Sequence, residues 1–154
     1  MEKLAIPSWF LTLLDETRPS LAALADRLEA LTRQKLVAYA STYRDVAEHI
    51  IEVWNNPIVD GAELSEDDIE DICDWVVSQG DALITRAYAE RADLKSIVKA
   101  YRANEKGTSK EFPKWDTVVK HVGYQGFQSP RGIAIAVYER VHHADLFDEL
   151  DEES

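Results

Sequence analysis

Apolar residues recur every three or four positions along most of this 154-residue chain, and no stretch alternates apolar and polar residues as strands do. Proline and glycine separate the patterned stretches, notably at Asn56-Pro57, Gly80, Gly107 and Gly123. The pattern predicts an all-α fold: a single compact domain over residues 1–148 with about seven or eight helices and no significant sheet. The acidic residues 149–154 are expected to form a frayed tail.

The helix boundaries follow from start and stop signals. Thr32 and Ser65 stand where N-cap residues are expected, and Gly80 stands where a left-handed residue ends a helix. A loop with an Asp60-Gly61 turn precedes Ser65. The predicted helices cover residues 7–18, 21–31, 33–54, 65–79, 81–90, 93–105 and 113–122, with a last helix opened by Ser129-Pro130.

Several classes of protein are excluded by composition. No apolar run approaches the roughly 20 residues that span a bilayer, and the first residues do not form a secretory signal. Cys73 is the single cysteine, which excludes an intramolecular disulfide and a multi-cysteine zinc site. We therefore expect a cytoplasmic protein that does not interact with membranes.

The net charge of −12 is unevenly distributed along the chain. Residues 45–85 hold twelve acids and no Lys or Arg, whereas residues 86–144 hold eleven bases and six acids. An acidic surface repels phosphate backbones and attracts basic partners over long distances. The charge therefore disfavours direct binding of nucleic acid. Two alternatives to a functional acidic surface stay open: the acids are merely solvated, or residues 86–144 fold back and neutralise them.

The helix that begins at Ser65 carries the strongest candidate site. Four carboxylates fall on the helix face opposite its apolar stripe, within two turns: Asp67, Glu70, Asp71 and Asp74, here called the acidic face. Like charges at these spacings destabilise a helix, so the cluster is a hint of function. Trp75 lies at the flank of the stripe, where it either packs against a neighbouring helix or anchors a partner beside the acidic face.

No residues form a recognisable catalytic or cofactor site, and we predict neither a cofactor nor a metal. Cys73 projects inward with no base nearby in sequence, which indicates an inert buried thiol. The four histidines are interpreted as structural. The stretch 123–127 is rich in glycine but lacks the Gly-Lys-Ser/Thr ending of a phosphate loop.

Several short motifs resemble the bacterial domain of unknown function 4240 family. The opening Trp9-Phe10 with the following Leu13-Leu14-Asp15-Glu16 and Leu28-x-x-Leu31 is similar to the start of that family, and Ile135–Glu139 is similar to a segment near its end. The most distinctive family stretch is matched at five positions: Asp67, Asp68, Trp75, Gln79 and Gly80.

The resemblance covers roughly residues 8–148 and departs from the family pattern at Cys73, where an arginine is common. A role that depends on that guanidinium is therefore in doubt for this chain. The resemblance implies a helical fold in a bacterial cytosolic protein, and it implies no reaction.

Three functions remain open from the sequence. The first is a non-catalytic interaction domain whose acidic face, with Trp75, binds a basic protein, as an immunity protein or other stoichiometric inhibitor binds a toxin. The second is an enzyme in which the carboxylates hold Mg²⁺ or Mn²⁺. The third is a structural or regulatory homodimer.

Overall fold

A computed structural model describes residues 4–89 and 94–153. Within these ranges the chain forms eight α-helices and one two-stranded hairpin, which confirms the all-α prediction. The helices are α1 (Ser8–Thr17), α2 (Leu21–Glu29), α3 (Arg33–Trp54), α4 (Glu66–Ser78), α5 (Asp81–Tyr88), α6 (Leu94–Glu105), α7 (Ile133–His142) and α8 (Leu146–Glu153); the strands are β1 (Ile58–Val59) and β2 (Ala62–Glu63).

Contacts between residues group the chain into two compact units. Unit 1 contains the residues up to Pro7 and Asp45–Lys114, and unit 2 contains Ser8–Arg44 and the chain from Trp115 onward. The single domain expected over residues 1–148 stays a prediction. Among the helices of residues 4–89 and 94–153, none combines the length and the apolar character needed to cross a bilayer.

Unit 1 is built around α4, which packs against α5 and α6. Trp54 at the end of α3 is buried and donates its indole N–H to the carbonyl of Ala87, 3.0 Å away. The β1–β2 hairpin turns through Asp60 and Gly61, both with positive φ, as the predicted turn requires. The core consists mainly of aliphatic side chains from four helices: Ile50, Ile69, Ile72, Val76, Leu83, Ile84, Ile97 and Val98.

Unit 2 contains α1, α2, the first part of α3, α7 and α8. The strongest helix pairing is that of α2 with α7. Phe10 contacts the rings of Tyr39 and Tyr43, with centroids 5.3 and 5.9 Å apart, and all three side chains are buried. The Tyr39 hydroxyl donates to the carbonyl of Pro130 at 2.5 Å, which ties α3 to the segment before α7.

The start and stop signals of three helices are confirmed. The Ser65 hydroxyl accepts a hydrogen bond from the backbone N–H of Asp68 at 3.1 Å, and Thr32 caps α3 through the N–H of Lys35 at the same distance. Gly80 has φ +94° and separates α4 from α5. The predicted end of one helix at Glu90 and the predicted start of the next at Asp93 lie outside the described residues.

The helix expected over residues 113–122 is absent, and that prediction is wrong. This part of the described chain is irregular, with an isolated bridge between Asp116 and Ser20, and a short 3-10 helix begins at Val122. The Asp116 N–H donates to Pro19 and the Asp116 carbonyl accepts from Leu21. These bonds to the start of α2 replace the bonds of a helix, and the β-branched Val118 and Val119 have a lower helix propensity than unbranched residues.

The C-terminal segment also differs from the expected frayed tail, since α8 continues to Glu153. The Glu149 carboxylate accepts hydrogen bonds from the Arg33 guanidinium and the Tyr138 hydroxyl. The guanidinium also donates to the Tyr138 oxygen at 2.6 Å. This three-residue network ties α8 to α3 and α7 through contacts that the local sequence does not predict.

Candidate functional site: the acidic face of α4

The acidic face is oriented by the burial of the opposite side of α4. Ile69, Ile72 and Cys73 point into the core and are at most 8% exposed, so the carboxylates must lie on the outer side. The Ser65 cap and the acids of the first turn stabilise the amino-terminal end of the helix, which carries the positive end of the helix dipole. The local sequence therefore places the carboxylates on one side of α4, and packing of α4 against α5 and α6 turns that side outward.

The structure exposes three of the four predicted carboxylates. Asp67, Glu70 and Asp71 are exposed, whereas Asp74 is half-buried. Within the described ranges, none of the three exposed carboxylates forms an ion pair with a basic side chain. Their negative charge is therefore available to a partner.

Asp71 lies close to three other carboxylates. Partial burial and the neighbouring carboxylates of Asp67, Asp68 and Glu105 raise the pKa of Asp71 above its ordinary value. Glu105 reaches this point from α6, where it accepts a hydrogen bond from the Tyr101 hydroxyl. Burial and this hydrogen bond raise the pKa of Tyr101, so the phenol stays neutral at physiological pH.

Trp75 packs inside unit 1, so its ring is not the exposed aromatic that one sequence interpretation expected, and its part in partner binding stays a prediction. Its side chain is 8% exposed, and its ring contacts the edges of Tyr101 and Phe112 at centroid distances of 5.6 and 5.5 Å. The alternative, that Trp75 packs against a neighbouring helix, is the one the structure bears out. The two partner rings lie 26 and 37 positions later in the chain, beyond the reach of a helical-wheel argument.

A pocket beside the acidic face was not predicted from the sequence. It has a volume of about 460 Å³ and lies between the end of α3 and the start of α4. Glu52, Glu66 and Glu70 line it, and Pro57 and Ile69 contribute apolar surface. The signal that could have indicated it is Asn55-Asn56, since asparagine tolerates the positive φ that both residues adopt where the chain leaves α3.

Cys73 is fully buried, as the sequence predicted. Burial and the nearby Asp74 raise the pKa of its thiol far above the ordinary range, so the reactive thiolate is not populated. Within residues 4–89 and 94–153, no three His, Cys, Asp or Glu side chains are grouped so that they could hold a metal ion.

A polar cluster in unit 2 was also missed. The Glu29 carboxylate accepts a hydrogen bond from the Tyr124 hydroxyl at 2.7 Å and lies 3.6 Å from the Arg140 guanidinium and 3.8 Å from the imidazole of His121. Burial and the bond to Glu29 raise the pKa of Tyr124 to about 12. These contacts join α2 to α7 and to residues 121–124, which precede α7. His121 therefore belongs to a network of side chains within unit 2, in line with the structural interpretation of the histidines.

Comparison with protein-family models, curated proteins and solved structures gives no match. The resemblance to the domain of unknown function 4240 family therefore rests on the sequence motifs alone and stays a prediction.

Proposed function

We propose that the protein is a non-catalytic interaction domain of the bacterial cytosol, and that the acidic face of α4 binds a basic protein in the manner of an immunity protein or another stoichiometric inhibitor. The observation that carries the proposal is the position of the three exposed carboxylates beside a pocket that is itself lined by carboxylates. A flat surface attracts cations, but a pocket of this kind also orients them.

The pocket fits a lysine or arginine side chain of the partner. The aliphatic stem would lie against Ile69 and Pro57, and the charged end would reach Glu52, Glu66 and Glu70. Arginine would gain more than lysine, because its planar guanidinium can bind a carboxylate through two parallel hydrogen bonds.

Repulsion within the acidic face favours the same interaction. The pKa of Asp71 is raised by partial burial and also by the surrounding acids, so these acids disfavour its ionised form. A partner's cations would relieve this repulsion, and they would shift the pKa of Asp71 back towards its ordinary value. Association should be fast at low ionic strength and should slow as salt screens the charges.

The experiment is a titration of a fluorescein-labelled octa-arginine peptide with two variants that each remove three negative charges. The first variant carries Asp67→Asn, Glu70→Gln and Asp71→Asn on the acidic face. The matched control carries three changes in exposed acids of unit 2: Glu16→Gln, Glu139→Gln and Asp148→Asn. Fluorescence anisotropy at low salt reports the affinity of each protein for the peptide.

We expect the acidic-face variant to bind about tenfold more weakly than the wild type, because each exposed charge contact contributes about 0.2–1 kcal/mol. The control variant should lose less than half as much binding free energy. An equal loss in both variants would mean that the peptide responds only to net charge, and the proposed site would be rejected.

A further inference from the structure

A second charged surface of unit 1 has the opposite sign. Three basic residues of α6 and the residue directly after the helix recur at spacings of four, three and four positions, which places them in one stripe: Lys95, Lys99, Arg102 and Lys106. All four are exposed and line a groove of about 360 Å³, here called the basic groove. Its apolar lining comes from Val59, Val98 and Ala103.

The positive charge of the basic groove is mostly unneutralised. Asp60 is the one acid among the described residues that line the groove. It lies 3.2 Å from the Lys95 ammonium, in a pair that is more than half exposed and so contributes little. No carboxylate of the described residues forms an ion pair with Lys99, Arg102 or Lys106. Like charges at these spacings destabilise a helix, and an anionic ligand would remove that cost.

The stripe does not serve to neutralise the acidic face. The residues by which α6 reaches the acids of α4 are Tyr101 and Glu105, and Glu105 adds negative charge there. On a helical wheel these two positions lie roughly 60–160° away from the four basic residues. The basic groove is therefore a separate surface.

We propose that the basic groove binds an acidic peptide segment of a partner protein. The four cations are spread over about 16 Å along α6 and the residue that follows it, which matches carboxylates distributed along a peptide better than charge concentrated on a phosphate. The aliphatic lining suits apolar side chains between the acids, and none of the lining residues is an aromatic ring on which a nucleobase could stack. The net charge of −12 further disfavours a long polyanion such as a nucleic acid.

The test measures binding of a fluorescein-labelled octaglutamate peptide to the wild type, to Lys99→Glu and to Lys110→Glu. Both substitutions lower the net charge by two, but Lys110 is an exposed residue outside the groove. We expect Lys99→Glu to weaken binding about tenfold and Lys110→Glu to weaken it less than twofold. Thermal unfolding of each variant checks that the fold is retained.

Three results would overturn the proposal. The first is the absence of salt-sensitive binding of the peptide to the wild type, and the second is an equal loss of affinity in both variants. The third is tighter binding of inorganic tripolyphosphate or a single-stranded oligonucleotide than of octaglutamate, lost in Lys99→Glu, because the groove would then be a phosphate site.

Discussion

The ionised form of Asp71 is disfavoured by its partial burial and by the neighbouring carboxylates. Its carboxylate is surrounded by Asp67 and Asp68 on its own helix and by Glu105 and Tyr101 on α6, and none of these carries positive charge. Selection for stability alone would not favour this arrangement, since a neutral residue at position 71 would remove the repulsion.

This cost leads to a prediction for Asp71→Asn. Because the pKa of Asp71 is higher in the folded protein than in the unfolded chain, ionisation of Asp71 destabilises the fold. The cost is absent below the ordinary aspartate pKa of about 3.9, grows as the pH rises through the raised pKa, and is complete above it. We expect Asp71→Asn to be more stable than the wild type at pH 7 by a few tenths of a kcal/mol, and equally stable near pH 3.

Urea unfolding of both proteins across that pH range measures the difference. The control is Glu111→Gln, an exposed acid of the same unit, whose effect on stability should stay near zero at every pH. A gain in stability for Asp71→Asn that is the same at pH 3 and pH 7 would contradict the electrostatic explanation.

Individual residues show which features of the site the sequence could predict and which it could not. The outward direction of Asp67, Glu70 and Asp71 and the burial of Cys73 follow from helical periodicity, which is a local property. The environment of Trp75 does not follow from helical periodicity, because a residue at the flank of the apolar stripe can be either buried or exposed. Tyr101 and Phe112 decide between them, and only the folded chain brings these rings to α4.

The amino-terminal end of α4 holds the acidic face in place. The Ser65 hydroxyl satisfies the backbone N–H of Asp68, which would otherwise have no partner within the helix. The first turn contains Glu66, Asp67 and Asp68, so the positive end of the helix dipole offsets part of their repulsion. Loss of the cap should therefore loosen the turn that carries the first acids of the site.

We predict that Ser65→Ala lowers the free energy of unfolding by about 1 kcal/mol, the usual contribution of an N-cap hydroxyl. Ser65→Asn should recover most of this loss, since its side-chain carbonyl can accept the same hydrogen bond. Chemical denaturation of the three proteins provides the comparison. If the asparagine variant is as unstable as the alanine variant, then the cap is not what Ser65 contributes.

Whole helices were predictable where local signals agree with packing. The bounds of α3 match the prediction because Thr32 caps its start and Pro57 follows its end closely. The helix predicted over residues 113–122 does not form, because Asp116 makes backbone hydrogen bonds to Pro19 and Leu21 that the local apolar spacing does not indicate. Those bonds join residues almost a hundred positions apart, so no local pattern reports them.

Across the whole chain, a net charge of −12 conceals two surfaces of opposite sign in unit 1. The acidic face lies on α4, and the charged residues of the basic groove lie on α6 and directly after it, so that each surface is defined by side chains that repeat at helical spacing. The uneven charge of the sequence indicated the first surface. The second was visible only as an excess of basic residues until the structure placed four of them along one groove.

The central claim, that the acidic face binds basic partners, is tested most directly by nuclear magnetic resonance of the ¹⁵N-labelled protein titrated with unlabelled octa-arginine at low salt. We predict that the backbone amide shifts concentrate on residues 66–75 of α4 and on Ile51, Glu52, Asn55 and Asn56, which line the adjoining pocket, and that 0.5 M salt reverses them. Shifts spread evenly over exposed acids of both units, or centred on unit 2, would contradict the account.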